Sequence, residues 1–503
     1  MGLLVLVGCD GTGETPDAGT GTDASSDAGH EVDSGTPTGE CSPACGAGES
    51  CFGGRCVAVG PNQACGCEPG SAGAGEVCHP DYGIFADDET ILFVDGAAAG
   101  GGDGTLAAPF STIGEAVAAL DASGGTIAIK AGTYTEDLTV TPRGSVRVHG
   151  SCARDVRIAG QIQVGSPPGP ASFVLDGVTV APAGFDADAM DEWGSCADSV
   201  EPRGIAISPG ASSLTTEIRD SVIAGWCTGV YFNADPSSGA TLCVHESRVS
   251  ANDTGLDLEG GPAGIPGTGS CLPLGYGSVV QSSLIDQNRS FGVFADRGTE
   301  AVGMNANVVA LTGWIGERSD PVLTEGIGVY FGNLRESFIA ENVLAENLGG
   351  GLAAFNLVGP SDSTREIEIA DNVLVGNGGA GIALRQLQAE TPVTITGNEI
   401  RATGTPIGGD GGDGIQVTVE GGTSYAVTIS GNTIADSARD GIMLDGVSGT
   451  VSSNTITGSG AVGLLLQGST AVSSGNAISG SGLEDESSAS LGHGPLQIPV
   501  PSP

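Results

Sequence analysis

Short runs of alternating apolar and polar residues, separated by Gly, Asn and Ser, fill most of the chain after about residue 200. The C-terminal part repeats most regularly, because Asn432, Asn454 and Asn476 lie 22 residues apart and their apolar neighbours keep the same spacing. A fixed period of this length with several residue types in phase is typical of a solenoid. The alternation has a period of two, so the repeated units are predicted to be β-strands joined by turns.

One series of ten predicted strands begins with Gly, at spacings from 22 to 37 residues. The excess over 22 residues is predicted to lie in loops outside the stack. The residue after each Gly is Ile, Val or Leu and is expected to point inward, so the second and fourth residues point outward. The ten glycines are Gly204, Gly229, Gly255, Gly292, Gly328, Gly351, Gly381, Gly414, Gly441 and Gly463.

A second strand series carries an in-phase Asn, as in Asn342, Asn372 and Asn398. Stacked strands place these side chains in one column, where each amide group is expected to form hydrogen bonds with the next amide group and with the turn backbone. Composition agrees, since 87 Gly with 4% aromatic residues do not suit an ordinary globule and 39% hydrophobic residues do not suit disorder. The predicted fold class is all-β, a right-handed parallel β-helix solenoid.

The stretch from Phe93 to Val140 contains GTLAAPFSTIGEA followed by IAIKAGTYTE. It resembles the N-terminal segment of pectin-lyase-like β-helix proteins, which implies a short capping helix before the first strand. Here Ser111 is expected to cap a helix through about Leu120 that plugs the end of the solenoid. That superfamily includes lyases, hydrolases and epimerases, so the resemblance leaves activity open. The β-helix is expected over residues 88–482, with 483–503 as a C-terminal cap or tail.

The chain opens with an apolar run that ends in Leu6-Val7-Gly8-Cys9. This resembles the lipobox of bacterial lipoproteins and implies that Cys9 is lipidated. The run is short and no basic residue precedes it, so residues 1–9 are either a truncated lipoprotein signal or a chance match. Residues 10–40 contain no Lys or Arg and no apolar periodicity, which predicts a disordered acidic linker. We expect an extracytoplasmic protein at the outer membrane or cell surface.

Cysteine usage also predicts an oxidising compartment. Residues 41–80 form a predicted disulfide-rich module that loosely resembles EGF-like modules in its CSPACGAGESCFGGRC pattern. Paired CxxC knuckles are absent from this sequence, so no metal site is predicted there. If all twelve cysteines after Cys9 pair, at least one bridge joins the module to the solenoid. They are Cys41, Cys45, Cys51, Cys56, Cys65, Cys67, Cys78, Cys152, Cys196, Cys227, Cys243 and Cys271.

The formal net charge of −43 excludes some partners. Nucleic acid binding needs Lys and Arg to displace counterions, so a nucleic acid is not expected as a partner. Acidic polysaccharides are disfavoured for the same reason unless a divalent cation bridges the two charges. A polysaccharide or cell-surface glycan remains the expected partner, with the outer membrane contacted through the lipid anchor.

The outward positions of the Gly-led strands carry the candidate chemistry. Aromatic faces suit sugar rings, and the predicted ligand-binding residues are Tyr231, Phe294, Tyr330, Phe355 and Arg385. Asp257, Glu259 and Asp296 are the predicted catalytic carboxylates, since adjacent rungs lie about 4.8 Å apart, near the separation in retaining glycosidases. No cofactor is predicted, although the same acidic patch suits Ca²⁺, as in pectate lyases.

Three function classes follow. The favoured one is an exported protein that binds carbohydrate, or another surface ligand, through the outward strand face. The first alternative is a polysaccharide lyase or glycoside hydrolase, which needs the carboxylates in a cleft beside a basic residue. The second alternative is a structural spacer without ligand, which predicts that loops bury Tyr231, Phe294 and Tyr330.

Overall fold

The computed structural model describes residues 49–52, 55–58, 67, 72–73, 76–86, 90–186, 196, 201–235, 237–260, 277–296, 301–313, 326–332, 336–355, 366–385, 392–404, 412–419 and 426–488. The predicted signal at 1–9 with Cys9, the linker at 10–40 and most of the 483–503 tail lie outside these residues. The predictions made for them therefore stay predictions.

The chain winds through three long parallel sheets, here called A, B and C, and each coil contributes one strand to each sheet in that order. Sheet A has 14 strands, while sheets B and C have 13 strands each. This architecture confirms the predicted all-β parallel β-helix. All ten Gly-led stretches lie in sheet C, as predicted, and the three further strands of sheet C lack the leading Gly.

Most of the strands in the three sheets are short. Sheet A consists of Ile91–Val94, Gly124–Ile129, Ser145–Gly150, Ala171–Asp176, Leu214–Arg219, Thr241–His245, Ser278–Gln281, Val302–Asn305, Phe338–Ala340, Ile367–Ala370, Val393–Thr396, Ala426–Ser430, Ser448–Ser452 and Val472–Ser474. Sheet B consists of Gly132–Tyr134, Val156–Ile158, Thr179–Val180, Val222–Ala224, Arg248–Ser250, Leu284–Asp286, Val308–Ala310, Val343–Ala345, Val373–Val375, Glu399–Arg401, Thr433–Ala435, Thr455–Thr457 and Ala477–Ser479. Sheet C consists of Leu138–Val140, Ile162–Val164, Arg203–Gly210, Thr228–Ala234, Thr254–Gly260, Phe291–Asp296, Ile327–Phe331, Gly350–Phe355, Ile382–Arg385, Ile415–Thr418, Ile442–Asp445, Val462–Gln467 and Glu484–Ser487. The last of these strands continues the solenoid beyond the predicted end at residue 482.

The leading glycines of sheet C lie in a column that has no room for a side chain. A Cβ on Gly255 would lie 2.4 Å from the carbonyl oxygen of Gly292, and a Cβ on Gly292 would lie 2.6 Å from that of Gly328. The same contact recurs up to Gly463, whose Cβ would meet the carbonyl oxygen of Asp485 at 2.6 Å. Close stacking of the backbone therefore explains why Gly recurs at this position.

The core lies inside the three sheets. It consists of aliphatic side chains from the inward positions of the strands, stacked in columns along the solenoid. A column of asparagines follows the turn from sheet A to sheet B, as predicted. The Asn432 amide nitrogen donates to Asn454 Oδ1 at 2.9 Å and to the Ile395 carbonyl at 3.0 Å, while its Oδ1 accepts from the side chain and backbone of Asn398. The column runs from Asn307 to Asn476 and satisfies turn groups that would otherwise be buried without partners.

The helix Ile113–Ala119 covers the N-terminal end of the solenoid, and Ile113 and Ala116 are buried. Its cap is Thr112, not the predicted Ser111. The Thr112 side chain accepts from the Glu115 backbone and the Glu115 side chain accepts from the Thr112 backbone, which forms a capping box. Because the reciprocal bond selects the residue three positions before Glu115, the helix begins one position later than predicted. No helix in the described residues is long and apolar enough to span a membrane.

Two short hairpins precede the solenoid, Glu49–Phe52 with Arg55–Ala58 and Glu76–His79 with Gly83–Ala86. A disulfide joins Cys67 to Cys78, which confirms a disulfide within the predicted module. A second disulfide joins Cys196 to Cys227 in the body, and Cys56, Cys152 and Cys243 are also disulfide-bonded. The second hairpin packs Tyr82 and Phe85 against Ala128 on the outer face of sheet A.

The asparagine column allows a test of the fold. We expect Asn432→Ala to lower the free energy of unfolding by about 2 to 4 kcal/mol, because each buried polar group left without a partner costs about 1 to 3 kcal/mol. Urea unfolding followed by circular dichroism measures the change. Asn476→Ala is the control, since Asn476 is only half-buried in the last described coil and should cost clearly less. Equal losses in the two variants would contradict this role.

Candidate functional site

The outer face of sheet C brings the predicted ligand-binding aromatics into one cluster. Phe294 and Tyr330 are partners in register on neighbouring strands, and their rings stack with centroids 5.3 Å apart and planes 4° apart. Phe355 follows at 5.8 Å from Tyr330, and the Arg385 guanidinium lies 5.7 Å from the Phe355 centroid. The aromatic ladder, defined here as Phe294, Tyr330 and Phe355, therefore lies outside the core, as predicted.

The sequence left the exposure of these side chains open, and most of them are buried. Tyr231, Tyr330, Phe355 and Arg385 are exposed by 7%, 3%, 9% and 8%, and only Phe294 is half-buried. The ladder packs with Phe291 and Ile327 into a second apolar cluster on the outer side of the sheet. Burial, together with the charge of Asp296, raises the pKa of Tyr330 to about 12. The ladder is therefore a packed layer and does not offer an open platform for sugar rings.

A polar network begins next to the ladder, on the strands Thr228–Ala234 and Thr254–Gly260. The Tyr231 hydroxyl donates to Glu259 Oε2 at 2.7 Å, and the Asn233 amide donates to the Tyr231 hydroxyl at 2.7 Å and to Glu259 Oε2 at 2.9 Å. Asn233 and Glu259 are in register because each is the fourth residue after its leading Gly. We call Tyr231, Asn233 and Glu259 the polar triad.

The Tyr231 hydroxyl of the triad keeps its proton. Burial raises the pKa of Tyr231, the Asn233 hydrogen bond opposes this effect, and the hydrogen bond to Glu259 adds to it. The phenol therefore keeps its proton at neutral pH and serves as a donor. The Arg203 guanidinium stacks over the Tyr231 ring, 3.5 Å from its centroid, and lies 3.5 Å from a carboxylate oxygen of Glu201.

An open groove of about 470 Å³ lies where three neighbouring strands of sheet C end, at 210–211, 233–235 and 259–260. Among the described residues, Asn233, Asp235 and Glu259 line it with side chains that carry hydrogen-bonding groups. Gly260 forms part of its wall with φ of +71°, and a Cβ there would lie 2.0 Å from the Ala234 carbonyl oxygen. Only Gly fits this position, so the groove is built into the strand ends.

The three predicted catalytic carboxylates lie on adjacent strands. Glu259 and Asp296 are partners in register, and Asp257 is the partner of both Tyr231 and Phe294. Glu259 lines the groove, while Asp257 and Asp296 are half-buried beside it. Arg385 lies three strands further along, where it donates to Gln416 Oε1 at 3.1 Å, so it does not join this group. Arg203, which stacks on the Tyr231 ring, is a basic residue in contact with the triad, and the sequence analysis missed it because it precedes its leading Gly.

A second charged cluster lies on the outer face of sheet A and was also missed. His149, Asp176, Arg219 and His245 are successive partners in register on four strands. His149 Nδ1 lies 3.1 Å from Asp176 Oδ2, and Arg219 donates to the same oxygen at 3.1 Å. The signal was present as a charged or imidazole residue at the last outward position of each strand, but sheet A has no leading residue that marks its strands.

The charged groups of this cluster form ion pairs with one another. Burial alone would raise the pKa of Asp176, but the His149 hydrogen bond and the charges of Arg219 and Arg147 outweigh it and hold that pKa well below its usual range. Arg219 and His245 also contact Glu217, at 2.9 and 3.0 Å. The ionisable groups are paired with one another across consecutive coils, which is typical of a stabilising network.

One set of metal-ligating atoms occurs among the described residues, formed by Cys196, Cys227 and Asp253. The two sulfur atoms are joined in a disulfide and cannot serve as thiolate ligands. The Ca²⁺ expectation for Asp257, Glu259 and Asp296 stays a prediction.

Comparison with known proteins agrees on the fold. A family model described as "Right handed beta helix region" matches residues 413–494. Among solved structures, the GH87 α-1,3-glucanase catalytic unit of Streptomyces thermodiastaticus is 15% identical with a TM-score of 0.46, over 81% of this chain and 70% of that chain. The periplasmic alginate epimerase AlgG is 12% identical with a TM-score of 0.39, over 71% and 78%.

The A-module of the Azotobacter vinelandii mannuronan C-5 epimerase AlgE4 is 15% identical with a TM-score of 0.41, over 78% of this chain and 97% of that chain. No curated protein matches the sequence. This chain is a right-handed parallel β-helix protein, and similarities this low carry nothing about its activity.

Asp220, beside the sheet A cluster, gives a prediction of pH dependence. Burial, with the charges of Asp176 and Glu246, raises the pKa of Asp220 to about 6. The folded state therefore binds this proton more tightly than the unfolded chain, and ionisation destabilises the fold as the pH rises through about 6. We expect Asp220→Asn to raise the melting temperature at about pH 7.5 and to change it little at about pH 4.

Backbone strain does not complicate this substitution, because Asp220 has φ of +46° and Asn tolerates that region. Asp371→Asn is the matched control, since Asp371 occupies the same turn with φ of +54° but is exposed. A stabilisation by Asp220→Asn that is as large at pH 4 as at pH 7.5 would show that the buried charge is not its cause.

Proposed function

We propose that this protein is an exported β-helix protein that binds carbohydrate in the groove at the polar triad. The observation that carries the proposal is the groove itself, where Asn233 and Glu259 face a cavity of about 470 Å³ at the ends of rigid strands. Ligand sites are concave and use a few polar groups at fixed positions. Hydrogen bonds that involve a charged group such as the Glu259 carboxylate are the stronger ones.

Burial of the aromatic ladder restricts the proposal to this groove. Phe294, Tyr330 and Phe355 support the sheet from outside and position the strands that carry the carboxylates. The ligand therefore contacts the Asn233 amide and the Asp235 and Glu259 carboxylates. Hydroxyl-rich sugars match such a surface, because each ring offers several donors and acceptors.

Catalysis is the second candidate function, favoured by the position of Glu259 and Asp296. They are partners on adjacent strands, which run about 4.8 Å apart. Retaining glycosidases place their two carboxyl groups about 5 to 5.5 Å apart. Because Tyr231 keeps its proton, it would act in such a site as a donor and not as a base. The spacer alternative is favoured by the burial of Tyr231 and Tyr330, and it predicts no ligand in the groove.

The binding test uses the purified full chain with intact disulfides. We expect at least one neutral polysaccharide in affinity electrophoresis to retard the protein. Asn233→Ala should weaken retention by up to about tenfold, because it removes an amide that bonds a ligand hydroxyl, and such a hydrogen bond is worth about 0.5 to 1.5 kcal/mol. Gln467→Ala is the matched control, since it removes an amide from the same outward column of sheet C far from the groove.

The same incubations distinguish the three functions. New oligosaccharides that disappear in both Glu259→Gln and Asp296→Asn would establish an enzyme. Retention without cleavage, lost in Asn233→Ala and kept in Gln467→Ala, supports binding. A panel that is neither retained nor cut would leave the spacer function.

The proposal includes export and a lipid anchor at Cys9, in an oxidising compartment. The disulfides Cys67–Cys78 and Cys196–Cys227 support this location, because such bonds persist outside the cytoplasm. Mass spectrometry of the N-terminal peptide of the protein from its native cells should find Cys9 as a lipidated first residue. A peptide that continues through an unmodified Cys9 would contradict the anchor.

A further inference from the structure

The second hairpin, Glu76–His79 with Gly83–Ala86, packs over His149 on the outer face of sheet A. Phe85 meets the His149 ring edge to face, with centroids 6.1 Å apart. A Cβ on Gly83 would lie 2.7 Å from His149 Nε2, so the hairpin backbone lies directly against this nitrogen. The His149 side chain is fully buried, and Nε2 has no hydrogen-bond partner among the described residues. Docking of the hairpin therefore separates this nitrogen from water.

The other ring nitrogen fixes the tautomer of His149. Nδ1 lies 3.1 Å from Asp176 Oδ2. Asp176 is ionised, since its pKa lies well below its usual range despite its burial, and a carboxylate can only accept hydrogen bonds. Nδ1 therefore carries the proton of the neutral ring, and Nε2 is a lone pair that tolerates the Gly83 backbone.

A second proton on His149 is incompatible with the docked hairpin. It would create an N–H at Nε2 that is buried without an acceptor, which is costly. It would also add a third positive charge beside Arg147 and Arg219, which both contact Asp176. Asp176 attracts an imidazolium whether the hairpin is docked or not, whereas only release of the hairpin lets water accept the new N–H. Proton binding by His149 and docking of the hairpin therefore oppose each other.

We propose that the hairpin is a pH-sensitive latch, docked on sheet A while His149 is neutral and released when His149 gains its second proton. Imidazole exchanges this proton between about pH 5 and 8, and the charged form accumulates as the pH falls. The hairpin is therefore docked at neutral pH and loosens on acidification. This device is independent of carbohydrate binding.

The hairpin carries other ionisable groups. Burial raises the pKa of Tyr82, so its phenol stays protonated throughout the imidazole range. Asp81 lies 3.8 Å from Lys130, and both keep their charges in that range. Glu76 is exposed at the start of the hairpin. His79, whose ring lies 5.0 Å from the Tyr82 ring, is a second imidazole and needs a control.

Two groups on sheet A also bear on the test. Burial raises the pKa of Asp220 to about 6, and its protonation stabilises the fold, so it opposes any loss of docking on acidification. His245 lies three strands beyond His149 in the same outward column and contacts Glu217 at 3.0 Å. It is therefore a matched histidine further from the hairpin.

The experiment is amide hydrogen exchange with mass spectrometry on the full chain with intact disulfides, at about pH 7.5 and about pH 5. An isolated two-stranded hairpin is marginally stable in water, so the protection of residues 76–86 reports docking. After correction for intrinsic exchange, we expect this protection to fall about tenfold on acidification, because a buried donor loses its partner. The strand Val462–Gln467 should keep its protection.

His149→Asn keeps an N–H donor for Asp176 and cannot titrate, so it should remove the pH response. His245→Asn and His79→Gln should both keep it. A response that persists in folded His149→Asn, or disappears in His79→Gln, would overturn the assignment to His149. Equal protection of the wild-type hairpin at the two pH values would overturn the latch.

A second measurement covers the case in which His149→Asn does not fold. Hydrogen exchange at the imidazole C2 position follows the protonation of each histidine in the wild-type chain. The midpoint for His149 should coincide with the pH at which the hairpin loses protection. A midpoint outside that transition would contradict the latch.

Discussion

In-register stacking of one coil directly on the next is the constraint on which the rest of this structure depends. The glycine column of sheet C shows how tight the constraint is, since a Cβ at Gly255 would lie 2.4 Å from the carbonyl oxygen of the following coil. Because the backbones approach this closely, side chains at equivalent positions stand above one another at about 4.8 Å. Each outward column therefore brings together residues that lie between 21 and 43 positions apart in the chain. The polar triad, the aromatic ladder and the sheet A charges all arise in this way.

The same constraint explains which features could be predicted from the sequence. The leading Gly recurs in ten strands of sheet C and the turn Asn in each coil from Asn307 to Asn476, so the sequence alone predicts most strands of sheet C, the asparagine column and the inward aliphatic positions. Sheet A has no required residue at its strand starts, so His149, Asp176, Arg219 and His245 could not be aligned from the sequence. Exposure could not be predicted either. Whether Tyr330 is open or buried depends on what covers the sheet, and the segments outside the coils have no period.

The sheet A cluster and the sheet C groove differ in how their carboxylates are stabilised. In the described residues, several buried carboxylates contact guanidinium groups: Asp176 contacts Arg147 and Arg219, Asp286 contacts Arg248, and Asp413 contacts Arg439. A buried charge without a partner is costly, so a chain with only 17 Lys and Arg places several of them at these positions. The buried carboxylate of the sheet A network is paired with arginines in this way, and the network stabilises four consecutive coils.

The carboxylates that line the groove on sheet C lie nearer the surface, where water solvates them. The Tyr231 phenol and the Asn233 amide contact Glu259 and orient its carboxylate. Neutral donors that fix the geometry of a partly exposed carboxylate suit a surface that binds hydroxyl groups. The groove combines an oriented, partly exposed carboxylate and an amide at the ends of rigid strands, which is the physical reason to propose a ligand site there.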